Sequence, residues 1–431
     1  MSAAHDVPMF FDRLNPTDLD PRQMVDRERD VRWLTEVLSR YLQVAAESEG
    51  RAICVTGEKG VGKSILTRRV LEDLRADFSA NTLFMTVDCR SCHERRGVLS
   101  AVANQAVHEL ASLHVAGARV PDSLLATAQL LRQLSQLDRV ELKVAHEQVR
   151  QFQLAARLGG RRSLLSALKL NFGVSLELTD REVKSLTGSV NFDDQGIGEA
   201  LVAMFEDIRS QGFHCVLYLD NIDELRHEYR SAEERDRVRR DVEHVLELKR
   251  APVALVLNMR KYYTGVVSRD ISNQRVLRPV PPEVLREILA RRLEEERPAI
   301  CDALATEEAT AVTERLSGIA PTPVAYLLWT KFLFEEGFYR SERLAEGFDA
   351  YLETQYSNLD VRILHALAAA FPDPDAILDA SVVLEACGHN RAIFSQMQDR
   401  QVILPHDFWN PTQFKLDPEL YFLHPKYGVF G

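Results

Sequence analysis

Eight consecutive residues, Gly57-Glu58-Lys59-Gly60-Val61-Gly62-Lys63-Ser64, have the types and spacing needed to hold a chain of phosphates. They match G-x-x-x-x-G-K-S/T. Glycines let the backbone curl until successive N–H groups point inward at an anion, and a helix starting directly after them adds the partial positive charge of its N-terminus. Lys63 is placed to reach the β- and γ-phosphates of a nucleoside triphosphate, and the Ser64 hydroxyl to hold Mg²⁺. Such a loop must be carried by a strand before it and a helix after it. Residues 51–56 read as a short buried strand, and residues 65–74 carry apolar side chains at helical spacing, beginning with Ile65 at the foot of the loop.

A second carboxylate must complete the magnesium shell. The apolar run Phe213-His214-Cys215-Val216-Leu217-Tyr218-Leu219 ends in Asp220, the form of a Walker B strand, so Asp220 is expected to approach the ion opposite Ser64. Next come Asn221-Ile222-Asp223-Glu224-Leu225. Many P-loop ATPases of the AAA+ group place a glutamate directly after the magnesium aspartate to polarise the attacking water, and this chain has Asn221 there. An amide cannot accept a proton. Either hydrolysis is slow, or the base is Asp223 or Glu224.

The string from Asp220 to Leu225 resembles the Walker B form of STAND and NACHT ATPases, in which the acidic group needed for hydrolysis is displaced by two positions. It also resembles the Asp-Glu-x-Asp form of origin-recognition initiator ATPases with the glutamate replaced. Both are relatives within one P-loop branch and imply one fold. Residues 252–260 read as another buried strand, and the resemblance gives its end the sensor 1 residue near the γ-phosphate, here Asn258, with Arg260 in the place of an arginine that closes the strand in STAND proteins. Residues 24–31 resemble the segment these families place ahead of the first helix, near the adenine. Ser268-Arg269 lies where AAA+ relatives present an arginine finger to a neighbouring subunit, so Arg269 is a candidate only if copies assemble.

Strands near 51–56, 82–88, 214–219, 252–258 and 275–280 alternate with helical stretches, which implies an α/β core with a mainly parallel sheet covered on both faces. Its ligand belongs at the carboxyl ends of the strands, where Gly57, Asp220 and Asn258 all fall. Beyond Pro282 helices alone follow, at 283–297, 306–316, 322–336 and 342–356, resembling the all-α lid of this branch. In its turn Gly318-Ile319-Ala320-Pro321-Thr322-Pro323 the initiators' sensor 2 arginine is absent, and Pro321 or Pro323 could pack near the base as a proline does in STAND proteins. Residues 359–431 have the order of a C-terminal winged helix, with helices at 361–371, 381–387 and 390–401 and extended segments at 402–405 and 414–423. The expected organisation is therefore a lead-in and first helix (1–50), an ATPase core (51–282), a lid (283–358) and a winged-helix domain (359–431). The core contains an insertion at about 98–195, where residues 168–178 alternate apolar and polar and pair with 186–192 as a hairpin, either for contact with a partner or packed on its own core.

Charge and composition narrow the partners. The chain carries a formal charge of −11 over 431 residues, 45% of them hydrophobic and 27% charged. From Leu359 onward five basic residues face nine acidic ones, so this winged helix is a poor neutraliser of DNA phosphates and is expected to meet protein, with DNA possible but not favoured. No run of about 18 apolar residues and no basic-then-apolar leader is present, which points to a cytoplasmic protein without a membrane span. Six cysteines make no disulfide framework, and Cys89-Arg90-Ser91-Cys92-His93, although it has the spacing of haem attachment, follows a core strand and reads as a loop. The expected function is an ATP- and Mg²⁺-binding switch or assembly ATPase with itself and a partner protein as contacts. By resemblance alone a bacterial conflict system is one setting; the alternatives are a DNA-associated initiator or loader and a scaffold that does not hydrolyse.

Overall fold

The computed structural model describes Leu14 and residues 24–43, 50–92, 95–136, 194–225, 232–263, 271, 273–294, 304–407, 409 and 411–430. Most of the expected insertion, including the hairpin at 168–192, and Arg269 lie outside the described residues.

The first part of the chain alternates helices and strands: α1 (Glu28–Gln43), β1 (Arg51–Gly57), α2 (Lys63–Phe78), β2 (Thr82–Asp88), α3 (Arg95–Val115), α4 (Asp122–Gln136), α5 (Asp194–Ser210), β3 (His214–Asp220), α6 (Ala232–Leu246), β4 (Ala254–Arg260) and β5 (Asn273–Leu277). The strands form one sheet in the order β2-β3-β4-β1-β5, and every neighbouring pair is parallel. Side chains alternate between two apolar layers. Val55, Tyr218 and Val256 pack beneath α1 and α2 with Leu38 and Val70, whereas Cys54, Leu217 and Leu257 meet Val102, Leu201 and Val242 of the helices on the other face. This is why β4, buried at every residue, reads as a continuous apolar run. The edge strand β2 is guarded: Arg75 donates to the Phe84 carbonyl at 2.8 Å, and Glu109 accepts from the Phe84 N–H at 3.4 Å. β5 starts at Asn273 and stops at Leu277, earlier than the expected 275–280; Pro279, with no N–H, cannot continue the ladder beyond it.

The helical region follows: α7 (Pro282–Leu293), α8 (Glu307–Ile319), α9 (Pro323–Glu335) and α10 (Leu344–Gln355). Thr322 caps α9 by accepting from the Ala325 N–H at 3.3 Å, with Pro323 at the first helical position, where no donor is needed. The C-terminal module consists of α11 (Val361–Ala370), β6 (Leu378–Asp379), α12 (Ala380–Ala386), α13 (Arg391–Asp399), β7 (Ile403–Pro405) and β8 (Gln413–Leu416), the strands forming an antiparallel sheet β6-β8-β7. Three helices with a small antiparallel sheet make a winged helix. The expected extended segment 414–423 is a strand only as far as Leu416. Asp417 then accepts the Glu419 N–H at 2.8 Å and starts a 3-10 turn, Pro418–Leu423. That turn delivers Phe422 into the lid, where it stacks on Phe348 at 4.0 Å and meets Trp329 edge-on at 5.3 Å. Lid and winged helix therefore share one apolar core.

Candidate functional site

The phosphate-binding loop leaves the carboxyl end of β1, an interior strand of the sheet, and closes at the first turn of α2. Gly60 and Gly62 have φ of 76° and 99°, a left-handed region that a side chain would strain. A Cβ on Gly60 would also stand 2.7 Å from Val324 Cβ and 2.9 Å from Thr322 Oγ1, so the start of α9 rests directly on the loop. No acidic side chain occupies the first turn of α2 and no side chain caps it, which leaves its N–H groups for an anion. Lys63 lies across the loop and donates to the carbonyls of Gly57 at 3.2 Å and Glu58 at 2.8 Å. Burial pulls its ammonium below the ordinary lysine range, while Asp223 is the main group pulling it back up.

At the end of β3, Ser64 Oγ donates to Asp220 Oδ1 at 2.8 Å. Asn258 Nδ2 reaches the same oxygen at 3.3 Å and the Tyr218 hydroxyl at 2.6 Å, and its amide oxygen accepts from Thr67 at 3.1 Å. Asp220 is 1% exposed, and its Oδ2 has no hydrogen-bond partner among the described residues, the Arg68 guanidinium standing 3.9 Å away. A hydroxyl beside a buried carboxylate oxygen without a donor is a donor set that suits a small hard cation such as Mg²⁺. Asn258 holds Asp220 against α2. The sequence reading missed Tyr218 and Thr67; the only signal for Tyr218 was one hydroxyl in an otherwise apolar strand.

Asp223 and Glu224, the two candidate bases, share one cationic partner. Both face Arg260 at the end of β4: the Arg260 N–H donates to Asp223 Oδ1 at 3.1 Å, its Nε stands 3.0 Å from Asp223 Oδ2, and its Nη2 binds Glu224. The Arg260 and Asp223 side chains are 6% and 3% exposed. Burial raises the Asp223 carboxyl above the usual range even with Arg260 beside it. Asn221 has a φ of 55° and turns its amide toward β2, donating to Asp88 Oδ1 at 3.2 Å.

Between the loop and the lid lies a cavity of about 70 Å³, walled by Val25, Arg27, Val61, Arg292, Pro323 and Leu327 among others. The segment beginning at Met24 borders the loop, and Arg27 ties it to the loop and to the chain after β5 by donating to the carbonyls of Val61 at 3.0 Å and Arg278 at 2.7 Å. Of the two candidate prolines, Pro323 is among the residues that line this cavity and Pro321 is not. The helix start explains it: Pro321 precedes the Thr322 cap, whereas Pro323 opens the helix that faces the loop.

The winged helix also touches the loop. Lys59 pairs with Glu419 at 2.8 Å and lies 4.0 Å from Asp417, and Glu58 binds Lys415. Gln401 accepts from Arg260 Nη1 at 3.2 Å, and Trp409 Nε1 donates to the Tyr263 carbonyl at 3.2 Å. Nothing in the sequence joins these residues, since the Lys415–Glu58 bond spans 357 positions. Asp417 is 2% exposed, and burial pushes its carboxyl up to about 6 although Lys59 pulls it down. A carboxyl raised in the folded state adds stability that is fully present below about pH 4 and is lost as pH rises through about 6. Asp417→Asn is therefore expected to be the more stable chain at pH 7 and to lose that advantage between pH 6 and 4. Thermal melts of both chains across that window check it, and parallel curves would refute it.

A family model described as an AAA ATPase domain matches residues 24–258. Among solved structures, the chain is similar to the Aeropyrum pernix ORC1 protein in complex with DNA, with 16% identity, 96% of each chain covered and a TM-score of 0.46. It is similar to the Aeropyrum pernix ORC2 protein in its ADPNP-ADP complexes, with 12% identity, 96% of this chain and 97% of that one covered and a TM-score of 0.46. It is also similar to Drosophila ORC bound to DNA, with 13% identity, 98% of this chain and 95% of that one covered and a TM-score of 0.40. No curated protein matches.

Proposed function

The chain belongs to the AAA ATPase domain family, and from that premise we propose that it is an ATP-controlled switch in which nucleotide and winged helix bear on the same loop. One observation carries the proposal: Glu58 and Lys59, inside the phosphate-binding loop, are the residues held by Lys415 and Glu419 of the C-terminal module. To cradle phosphates the loop must turn its N–H groups inward, and Lys63 must leave the Gly57 and Glu58 carbonyls. The cavity of about 70 Å³ is small beside ligand pockets of roughly 300–1,000 Å³, so a purine enters when α9 and the module sharing its core move away from the loop. Ser64 and Asp220 would hold Mg²⁺, which when bound neutralises charge on the β- and γ-phosphates. The four-part division at 50, 282 and 358 is proposed with the same logic: core, lid and winged helix are the parts that move.

A DNA-associated initiator role is the second class. The acidic balance beyond Leu359 argues against it, because DNA affinity depends on phosphate neutralisation. Nothing in the site favours a conflict-system setting. Assembly of copies, with Arg269 reaching a neighbour, belongs to the same proposal.

Glu419→Ala/Lys415→Ala releases the loop and is expected to raise ATP affinity by about tenfold, the equivalent of two partly buried ion pairs contributing under 1 kcal/mol each. Limited proteolysis of wild type should open the link into the winged helix when a non-hydrolysable ATP analogue is added. Unchanged affinity together with a digestion pattern indifferent to the analogue refutes the switch. Sedimentation of the same samples reads assembly, and DNA binding that weakens steeply with salt would move the initiator reading ahead.

A further inference from the structure

We propose that Asp88, held by Asn221, is the carboxylate that polarises the attacking water in this chain's ATP hydrolysis. The inference rests on the reading of the chain as a hydrolysing ATPase and names the residue its motif lacks. Asp88 and Asp220 are register partners at the carboxyl ends of β2 and β3. Strands in a sheet lie about 4.8 Å apart, so the two carboxylates project side by side on the edge where this fold binds its ligand. The residue after Asp220 is an amide. Its left-handed backbone turns that amide onto Asp88 Oδ1 at 3.2 Å, so Asn221 presents a carboxylate from the neighbouring strand instead of supplying one.

Among the described residues, the other acidic groups beside the site are committed. Asp223 and Glu224 bind one buried guanidinium, that of Arg260, and Asp220 is bound by Ser64 and Asn258. Asp88 has a cationic partner too, Arg90, at 2.6 Å, but that pair differs in kind. The Arg90 and Asp88 side chains are 51% and 34% exposed, against 6% and 3% for Arg260 and Asp223. Arg90 grips both Asp88 oxygens, its Nε lying 3.1 Å from each and its backbone N–H donating to Oδ1 at 3.1 Å, but this pair is at the surface, where water can take over a bond to the carboxylate, whereas a buried pair cannot be opened without stranding a charge. The Arg90 and Asn221 hydrogen bonds also hold the Asp88 carboxyl below the usual range against the effect of its partial burial, so it is an ionised acceptor at neutral pH.

In the proposed step the water oxygen forms its bond to the γ-phosphorus as the bond from that phosphorus to the bridging oxygen breaks. The electron pair leaves with ADP, and one water proton passes to the Asp88 carboxylate and on to solvent.

Asp88→Asn keeps the size of the side chain and is expected to lower turnover by about 10²-fold or more while ATP affinity stays within about twofold. Adding Asn221→Glu returns a carboxylate to the same position from β3 and is expected to recover turnover by about tenfold or more over Asp88→Asn. Turnover in Asp88→Asn equal to wild type overturns the proposal and leaves the hydrolysis reading standing. A double variant that binds ATP and stays as slow as Asp88→Asn also overturns it, since loss without rescue marks a structural role. Wild type that binds ATP without turning it over overturns both.

Discussion

Lys63→Ala is expected to weaken triphosphate binding by orders of magnitude. Its ammonium is the charge placed on the loop to meet the β- and γ-phosphates, and Lys59, the other cation of the motif, points away to Glu419 and Asp417. Hydrogen bonds to charged groups are worth roughly 1.5–3 kcal/mol each, so losing two of them lowers affinity by about 10² to 10⁴-fold. The fold should tolerate the change, because the ammonium already suffers from burial and stabilises only two loop carbonyls. An equilibrium titration with labelled ATP, run beside circular dichroism to show an intact fold, decides the matter. Unchanged affinity would remove the loop from the site.

Arg260→Ala destabilises the core by about 3–5 kcal/mol, because it strands Asp223 and Glu224 against the sheet without their cation. The loss is electrostatic more than steric. Adding Asp223→Asn and Glu224→Gln removes the stranded charges and should recover a large part of it. Urea unfolding of the three chains measures both effects. A single variant as stable as wild type would mean that the Arg260 cluster is open to solvent. Arg260 also binds Gln401, so its loss should loosen the winged helix, and proteolysis reports that separately.

Much of the fold was legible because its signals are local. β1, β3 and β4 lie in the buried interior of a parallel sheet, so their composition had to be apolar throughout, and each ends at a residue with chemistry: Gly57, Asp220 and Arg260. The glycines at 60 and 62 and the Thr322-Pro323 helix start are readable for the same reason, as each answers a backbone need within a few residues. The sheet register was not legible. It set Asp88 beside Asp220, and strand pairing is decided by packing across the whole sheet.

The division between sequence and tertiary structure runs through the site itself. By itself the sequence determined that a phosphate-binding loop, a Walker B aspartate and a polar strand end exist and must converge, because each motif carries its own strand or helix. Which groups those side chains face was decided only by folding. Asn258 faces Asp220, Asp223 and Glu224 face Arg260, Pro323 and not Pro321 faces the cavity, and the loop's Glu58 and Lys59 face Lys415 and Glu419. These partners are distant in sequence, and a charged residue carries no mark of its partner. Only the burial of a shared core, here Phe422 against Trp329 and Phe348, brings the winged helix close enough for short-range ion pairs to form.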